Sequence, residues 1–390
     1  MLKDFSLSAL VAGFVTVLVG FTSSAVIVFQ AATTLHATAA EIASWMWALG
    51  IGMGVTCIGL SLRYRVPVVT AWSTPGAAML ITGAAGVPMA EAIGAFLVCG
   101  ALIAIAGFSG WFERILNRIP LSIASGMLAG VLLRFGMDVF IAMKTQFAIV
   151  FTMFCVYLAL RRMIPRYAVM AALLTGLIYA AALGLVQTHD LTFDLAAPVF
   201  TTPQFSVSAL IGVALPLFAV TMGSQNVPGV AALRASGYTS TPISPLVGWT
   251  GIATFVLAPF GAYALNLAAI TAAICMGREA HEDPAKRYMA SVSAGVFYII
   301  IGLFGAAVAA VFSALPKELI LAIAGLALIG TIGSGLAIAT AKETEREPAL
   351  ITFLVTASGV TLFGIGSAFW GLVSGTMAWL IFRINVPATK

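Results

Sequence analysis

The sequence predicts an all-α membrane protein of fourteen transmembrane segments in a seven-plus-seven inverted repeat, with short extended stretches in segments 3 and 10. Three observations carry this prediction. Of 390 residues, 61% are hydrophobic and 8% are charged, against about 25% charged in an average soluble domain. The apolar runs approach the roughly 20 residues a helix needs to cross a bilayer. Short motifs of the first half also recur in the second.

This composition excludes a soluble enzyme, a disordered chain and a nucleic-acid binder, because a water-soluble fold made of it would expose large apolar patches. The histidines (His36, His189, His281) and cysteines (Cys57, Cys99, Cys155, Cys275) are too scattered for a metal or disulfide framework. No metal or other cofactor is expected. Each cysteine lies in an apolar run and reads as a small buried hydrophobe. No nucleotide-binding loop is present, which argues against an ATP-driven pump, and no Ser/His/Asp set lies within the spans to suggest an enzyme.

The segments fall near 8–29, 42–61, 67–83, 90–110, 121–138, 147–161, 168–186, 207–227, 244–258, 263–277, 289–312, 318–338, 349–365 and 367–383. The first follows a short polar start, as a signal peptide would, but its apolar run continues past Ala25 and reads as a retained helix. The third and tenth are short and interrupted. Only Gly364-Ile-Gly-Ser367 separates the last two.

Orientation follows from the positive-inside rule. With Lys3 in the cytoplasm, sixteen of the 19 basic residues fall on that side. Lys144 and Lys317 fall opposite, and Arg134 lies within a span. A miscounted helix would reverse every later loop. Both termini are therefore expected in the cytoplasm, and the formal charge of +5 records orientation rather than an acidic partner.

The repeat rests on three pairs of motifs. Ser6-Leu-Ser-Ala-Leu10 returns as Ser206-Val-Ser-Ala-Leu210. Gly107-Phe-Ser-Gly110 and Pro120 are echoed by Gly302-Leu-Phe-Gly305 and Pro316, and Ala129-Gly130 by Ala324-Gly325. The repeats divide at 1–200 and 201–390. Seven spans is an odd number, so the halves lie oppositely oriented. Inverted repeats with broken helices at the midplane mark secondary transporters.

The interrupted segments occupy matching places. Val66-Pro-Val-Val-Thr-Ala-Trp-Ser-Thr-Pro-Gly76 reads as an extended stretch and then a helix start, with Thr74 as N-cap and Pro75 first in the helix. Pro259-Phe-Gly-Ala-Tyr-Ala-Leu-Asn266 precedes a short helix through Cys275. Extended backbone at membrane depth must be buried in protein or line a cavity. Two half-helix N-termini pointing at the centre would offer unpaired N–H groups to an anion.

Polar residues gather at the same depth. Segment 1 carries Ser23 and Ser24, segment 8 carries Ser224, Gln225 and Asn226, and the interrupted segments add Trp72, Ser73, Thr74, Tyr263 and Asn266. These are the candidate substrate-binding residues. Interhelical hydrogen bonding equally accounts for Ser23 and Ser24, whereas the amides of Gln225, Asn226 and Asn266 are costlier to bury idly. Arg134 and Asp138, four apart on one helix, read as a structural pair. Glu91 and Asp138 are the proton-coupling candidates, although Glu91 also suits the interface. Gly50, Gly52, Gly54, Gly126 and Gly130 read as close-packing positions. The runs Arg278–Arg287 and Lys342–Glu347 read as solvated cytoplasmic turns.

Trp72-Ser-Thr-Pro-Gly-Ala-Ala78, Leu133-Arg-Phe-Gly136, Pro165-Arg-Tyr-Ala-Val169, Thr221-Met-Gly-Ser-Gln-Asn226, Ala268-Ala-Ile-Thr-Ala-Ala-Ile-Cys275 and Gly364-Ile-Gly-Ser-Ala-Phe-Trp-Gly371 resemble the bacterial benzoate–proton symporter family along essentially the whole chain. More distantly the layout resembles nucleobase permeases and sulfate-permease-type carriers. The resemblance implies a core domain (about 1–115 and 201–314), a gate domain (about 116–200 and 315–390) and a homodimer through the gate domains, in a bacterial inner membrane. Nucleobase permeases have Tyr-x-Glu-Asn in the tenth segment; here Tyr263-Ala-Leu-Asn266 puts Leu265 in place of the Glu. They also carry a Glu on helix 8, where this chain has Ser224, Gln225 and Asn226. Loss of both carboxylates suits an anionic cargo.

The expected function is import of benzoate or a similar aromatic carboxylate by proton symport through alternating access, with the ring among Phe21, Trp72 and Tyr263. The expected partners are that substrate, a proton and the lipid bilayer. A carrier for another anion or a nucleobase is the alternative within the class. An anion channel is the alternative outside it, and it would need a continuous polar stripe.

Overall fold

The computed structural model describes residues 4–84, 86–116, 118–164, 167–185, 195–304, 315–360, 362 and 367–383. Lys3, Pro165, Arg166, His189, Gly305 and Gly364–Gly366, named above, lie outside the described residues, as do the side chains of Ser23 and Ala78.

Apolar runs become helices throughout. The first half of the chain contains α1 (Leu7–Thr34), α2 (Ala39–Tyr64), β1 (Thr70–Trp72), α3 (Thr74–Gly83), α4 (Met89–Phe108), α5 (Trp111–Leu116), α6 (Leu121–Ala142), α7 (Phe147–Met163) and α8 (Ala168–Ala182). The second contains the rod α9 (Val207–Ala235), α10 (Ile243–Leu257), β2 (Leu265–Leu267), α11 (Ile270–Met276), α12 (Tyr288–Leu303), α13 (Lys317–Ala341), α14 (Glu343–Ala357) and α15 (Ser367–Phe382). Among the described residues, six helices are long and apolar enough to cross a membrane: α2, α4, α6, α9, α13 and α10 with the turn that follows it.

The two halves repeat in local detail. Ser6 caps α1 by accepting the Ala9 N–H at 3.2 Å, and Ser206 caps α9 by accepting the Ala209 N–H at 3.2 Å. Packing repeats with the partners exchanged: α2 lies on α12 as α10 lies on α4, and α1 meets α11 as α9 meets α3. Likewise α7 packs on α8 as α14 packs on α15, while α6 and α13 pack on each other. These contacts form two groups. One holds α1–α4 with α9–α12, the other α6–α8 with α13–α15.

Glycines set the closest of these contacts. A Cβ on Gly50 would lie 2.5 Å from the Cα of Gly302, and one on Gly54 would lie 2.7 Å from the Gly295 carbonyl oxygen. On the other group, a Cβ on Gly126 or Gly130 would lie 2.5 Å or 2.7 Å from the carbonyl oxygens of Ala349 or Phe353. Backbones therefore touch at four of the five glycines expected to pack closely, whereas Gly52 faces the Leu265 and Leu257 side chains.

The extended stretches pair with one another. Thr70, Ala71 and Trp72 stand opposite Leu267, Asn266 and Leu265 in an antiparallel ladder, extended by Ser73 N–H to Ala264 O at 3.0 Å and Ala268 N–H to Val69 O at 2.9 Å. Small polar side chains of neighbouring helices hold the remaining backbone. Cys57 Sγ accepts the Thr70 N–H at 3.1 Å, Ser61 donates to Val68 O at 3.0 Å, and Thr254 Oγ1 accepts the Leu265 N–H at 2.9 Å. The buried strands thus meet the demand that every backbone polar group be paired.

Four expectations need correction. Ser73, not Thr74, caps α3, accepting the Gly76 N–H at 3.1 Å; the extended backbone simply ends one residue earlier. Lys342–Glu347 is not a turn, because α14 begins at Glu343 with Glu343 and Glu345 in its first turn, where negative charge suits the helix dipole. The Arg278–Arg287 loop is only partly solvated, since Glu279 and Arg287 are buried. Arg287 turns inward to donate to the carbonyls of Met276 (2.8 Å) and His281 (2.7 Å). Cys155 faces outward on α7, while Cys57, Cys99 and Cys275 are buried.

Candidate functional site

A cavity of about 450 Å³ lies where α1, β1, α3, α9 and α11 of one group face α6 and α14 of the other. Ser24, Trp72, Thr74, Ser224 and Gln225 line it, together with the backbone entering α11 (Ala268–Thr271). Arg134, Phe135, Tyr298, Thr356 and Ser367 complete the wall.

Each polar group is placed by a local feature. Ser24 donates to Gly20 O at 2.9 Å and accepts the Trp72 indole N–H at 2.9 Å. Its hydroxyl is consumed in aiming the indole, which also meets Phe21 edge-on at 6.0 Å. Ser224 and Gln225 sit in a π-helical turn of α9, Met222–Asn226. Widening the helix by one residue turns two successive polar side chains to the cavity, a device frequent at functional sites. Thr74 is the first residue of α3. Because Ser73 occupies the Gly76 N–H and Pro75 has none, the start of α3 offers an anion less free backbone than expected, and the Thr74 hydroxyl is the donor at hand.

The other candidates stand behind the wall. Ser73 is buried at the helix cap and accepts from the Thr221 hydroxyl at 3.0 Å. Asn226 Oδ1 accepts the Leu267 N–H at 3.0 Å and Asn266 Nδ2 donates to Ala264 O at 3.3 Å, both side chains being fully buried. Tyr263 packs between Trp45 and Phe96, at ring distances of 5.8 Å and 6.1 Å. The aromatic wall is therefore Trp72, Phe135 and Tyr298 rather than Phe21, Trp72 and Tyr263.

Arg134 was not among the expected binding residues. It makes no ion pair with Asp138 among the described residues and instead lines the cavity. The sequence signal was a cation within a span, a functional hypothesis by default, masked by a carboxylate four residues away. Glu91 accepts from the Ser206 hydroxyl near the start of α4. Asp138 is half-buried one turn beyond Arg134. Neither lines the cavity, and among the described residues its lining contains no carboxylate.

Apolar helices, two interrupted segments joined at their backbones, and a cavity between two helical groups are the construction of a multi-pass membrane transporter. The chain belongs to the benzoate membrane transport protein family, whose model matches residues 3–381. It is 50% identical over 375 residues to the inner membrane protein YdcO of Escherichia coli (strain K12), covering 96% of each chain. It is 42% identical over 379 residues to the benzoate membrane transport protein of Acinetobacter baylyi (strain ATCC 33305 / BD413 / ADP1), covering 97% of this chain and 96% of that one. Among solved structures SLC26A9 shares the fold, with a TM-score of 0.52 at 12% identity over 98% of this chain and 66% of that chain. The family is one of membrane transporters rather than enzymes.

Proposed function

We propose that this chain imports benzoate or a similar aromatic carboxylate across the bacterial inner membrane, together with a proton, by alternating access. The observation that carries this reading is Arg134 in a cavity whose lining holds no carboxylate. A guanidinium that has no ion-pair partner among the described residues favours an anionic guest and forks onto a carboxylate through two parallel hydrogen bonds. The Gln225 amide and the Thr74 and Ser224 hydroxyls supply further polar contacts, and Trp72, Phe135 and Tyr298 take the ring. The cavity lies within the range of about 300–1,000 Å³ typical of small-ligand sites.

In this reading the fourteen segments all span, with both termini cytoplasmic. The group of α1–α4 and α9–α12 is the core, and the group of α6–α8 and α13–α15 is the gate through which two copies associate. The cavity forms between them and changes sides as they move. Uptake of a monoanion against an inside-negative potential opposes about 2.3 kcal/mol per 100 mV. One co-transported proton cancels that term. Asp138 lies on the helix that carries Arg134 and is the better placed of the two carboxylate candidates; Glu91 is bound at a helix end.

The test is uptake of labelled benzoate into proteoliposomes under an imposed acid-outside gradient. Accumulation that collapses with the gradient is expected. Uptake indifferent to the gradient overturns symport. Stronger competition by sulfate or uracil than by hydroxybenzoates overturns the aromatic cargo.

A further inference from the structure

A second, polar cavity of about 330 Å³ lies at the other end of α11, lined by Arg161, Met276, Gly277, Arg278, Glu279, Arg287, Gly330 and Ser334. The larger cavity meets α11 at Ile270 and this one meets it at Met276, so roughly 10 Å of helix separates them at 1.5 Å per residue. In the topology proposed above, the smaller cavity is the cytoplasmic vestibule.

One ion pair crosses it. Glu279, in the loop after α11, accepts from the Arg161 guanidinium at the end of α7. The Glu279 side chain is only 8% exposed. Arg161 is held in place from within its own helix: it donates to the Tyr157 hydroxyl at 2.7 Å and lies 5.5 Å from the centre of that ring. The main packing of α7 is on α6, α8 and α13, within its own group. The pair therefore ties one helical group to the other. Gly330 of α13 lies beneath it, and a Cβ there would meet Arg161 Nη2 at 2.9 Å and Glu279 Oε1 at 3.1 Å. Arg278 and Arg287 also face the vestibule, while among the described residues α6 and α13 present Leu128, Gly330, Ser334 and Gly335 to it.

We propose that the Arg161–Glu279 pair is the cytoplasmic latch of the transport cycle, closed in this structure and broken when the binding cavity opens to the cytoplasm. An ion pair with a buried carboxylate gives little net stability, because the attraction is offset by the hydration that the carboxylate loses. Widening an already polar vestibule returns that hydration, so this bond can hold one state closed without forbidding the other. The proposal rests on the alternating-access reading and adds to it the bond that must open.

The experiment places a reporter cysteine, Val131→Cys, in the wall of the binding cavity, with the exposed Cys155 changed to Ser. Labelling by a membrane-impermeant maleimide is timed from each face, in right-side-out and inside-out vesicles. Glu279→Gln and Arg161→Gln are each expected to raise labelling from the cytoplasmic face at least fivefold and to lower it from the other. The charge exchange Arg161→Glu with Glu279→Arg is expected to restore the parental rates. Gly330→Ala, which wedges the pair without removing a charge, is expected to shift labelling in the same direction. It decides the matter if Glu279→Gln yields no folded protein. Unchanged rates in these variants, or an exchange double no better than the singles, overturn the latch. Labelling needs no cargo, so a clear labelling shift in a protein that takes up no benzoate counts against the cargo alone. Normal uptake without the shift counts against the latch alone.

Discussion

Ala71 and Asn266, which stand 195 residues apart in the chain, face each other across an antiparallel ladder. They lie at matching places in the two halves of the chain, and an antiparallel pair of equivalent strands is itself two-fold symmetric. The axis that exchanges the helix contacts therefore runs through this ladder. Beside it lies the cavity, so the axis passes next to the proposed site, the place where inverted-repeat carriers hold their substrates.

The ladder depends on side chains outside it. Asn226 Oδ1 accepts the Leu267 N–H at 3.0 Å, and truncation to Ala strands that buried donor. Leaving a buried donor unpaired costs about 1–3 kcal/mol. Asn226→Ala is predicted to lower the thermal unfolding midpoint of purified protein by several degrees. If stability is unchanged and only benzoate affinity falls, Asn226 is a ligand contact rather than a brace.

Arg134 is predicted to carry the charge recognition. A hydrogen bond to a charged group is worth about 1.5–3 kcal/mol, so Arg134→Ala should weaken benzoate binding roughly tenfold to a hundredfold at unchanged stability. Arg134→Lys should recover part of the loss, because the charge remains but the planar fork does not. Asp138→Asn should leave affinity within about twofold, since no ion pair links the two. Equilibrium binding in detergent measures all three.

Ser24→Ala removes the acceptor of the Trp72 indole N–H without touching the proposed carboxylate site. The indole is then free to turn from the cavity wall. A loss of aromatic-acid affinity of about threefold to tenfold is expected, in the range of one net hydrogen bond. The effect should be larger for ring-bearing than for small aliphatic carboxylates in the same binding assay.

Glu113 accepts the Ser244 N–H at 2.7 Å, capping α10 from α5. Partial burial pushes its pKa up, but the Ser244 hydrogen bonds outweigh this and hold the carboxyl below its usual range. A lowered folded-state pKa gives stability that is present above the unfolded value and lost as pH falls through the folded one. Glu113→Gln should therefore destabilise the protein at pH 7. Its deficit relative to the parent should shrink below about pH 4, as read from unfolding midpoints across pH.

The architecture was legible because its signals are redundant. Among the described residues six of the runs form helices long and apolar enough to cross a membrane, and the two interruptions fall at matching places in the halves. The site was legible only in part. Ser224 and Gln225 are marked by a polar run inside an apolar helix, yet the same run contains Asn226, whose amide pairs with a strand. A buried amide declares a need for a partner without saying whether that partner is backbone or cargo. Arg134 was hidden by the opposite ambiguity, because an acid one turn away satisfies the helical pairing rule whether or not the two side chains meet. Glu279 sits among so many charges that the sequence reads only a wet loop, and its burial comes from α7 and α13, far along the chain.

The hydroxyls and thiol that hold β1 and β2 have a mechanical consequence. Each strand is tied on one side to its pseudo-symmetric mate and on the other to α2 or α10. Such a ladder cannot shear or stretch without dragging helices that touch their own partners backbone to backbone. The floor under Trp72 and Thr74 is thus stiff, and a bound molecule has no compliant surface there to push against. In the proposed cycle, passage comes from sliding the opposite wall past a rigid seat, so that a cargo keeps its contacts with one group of helices while the other moves.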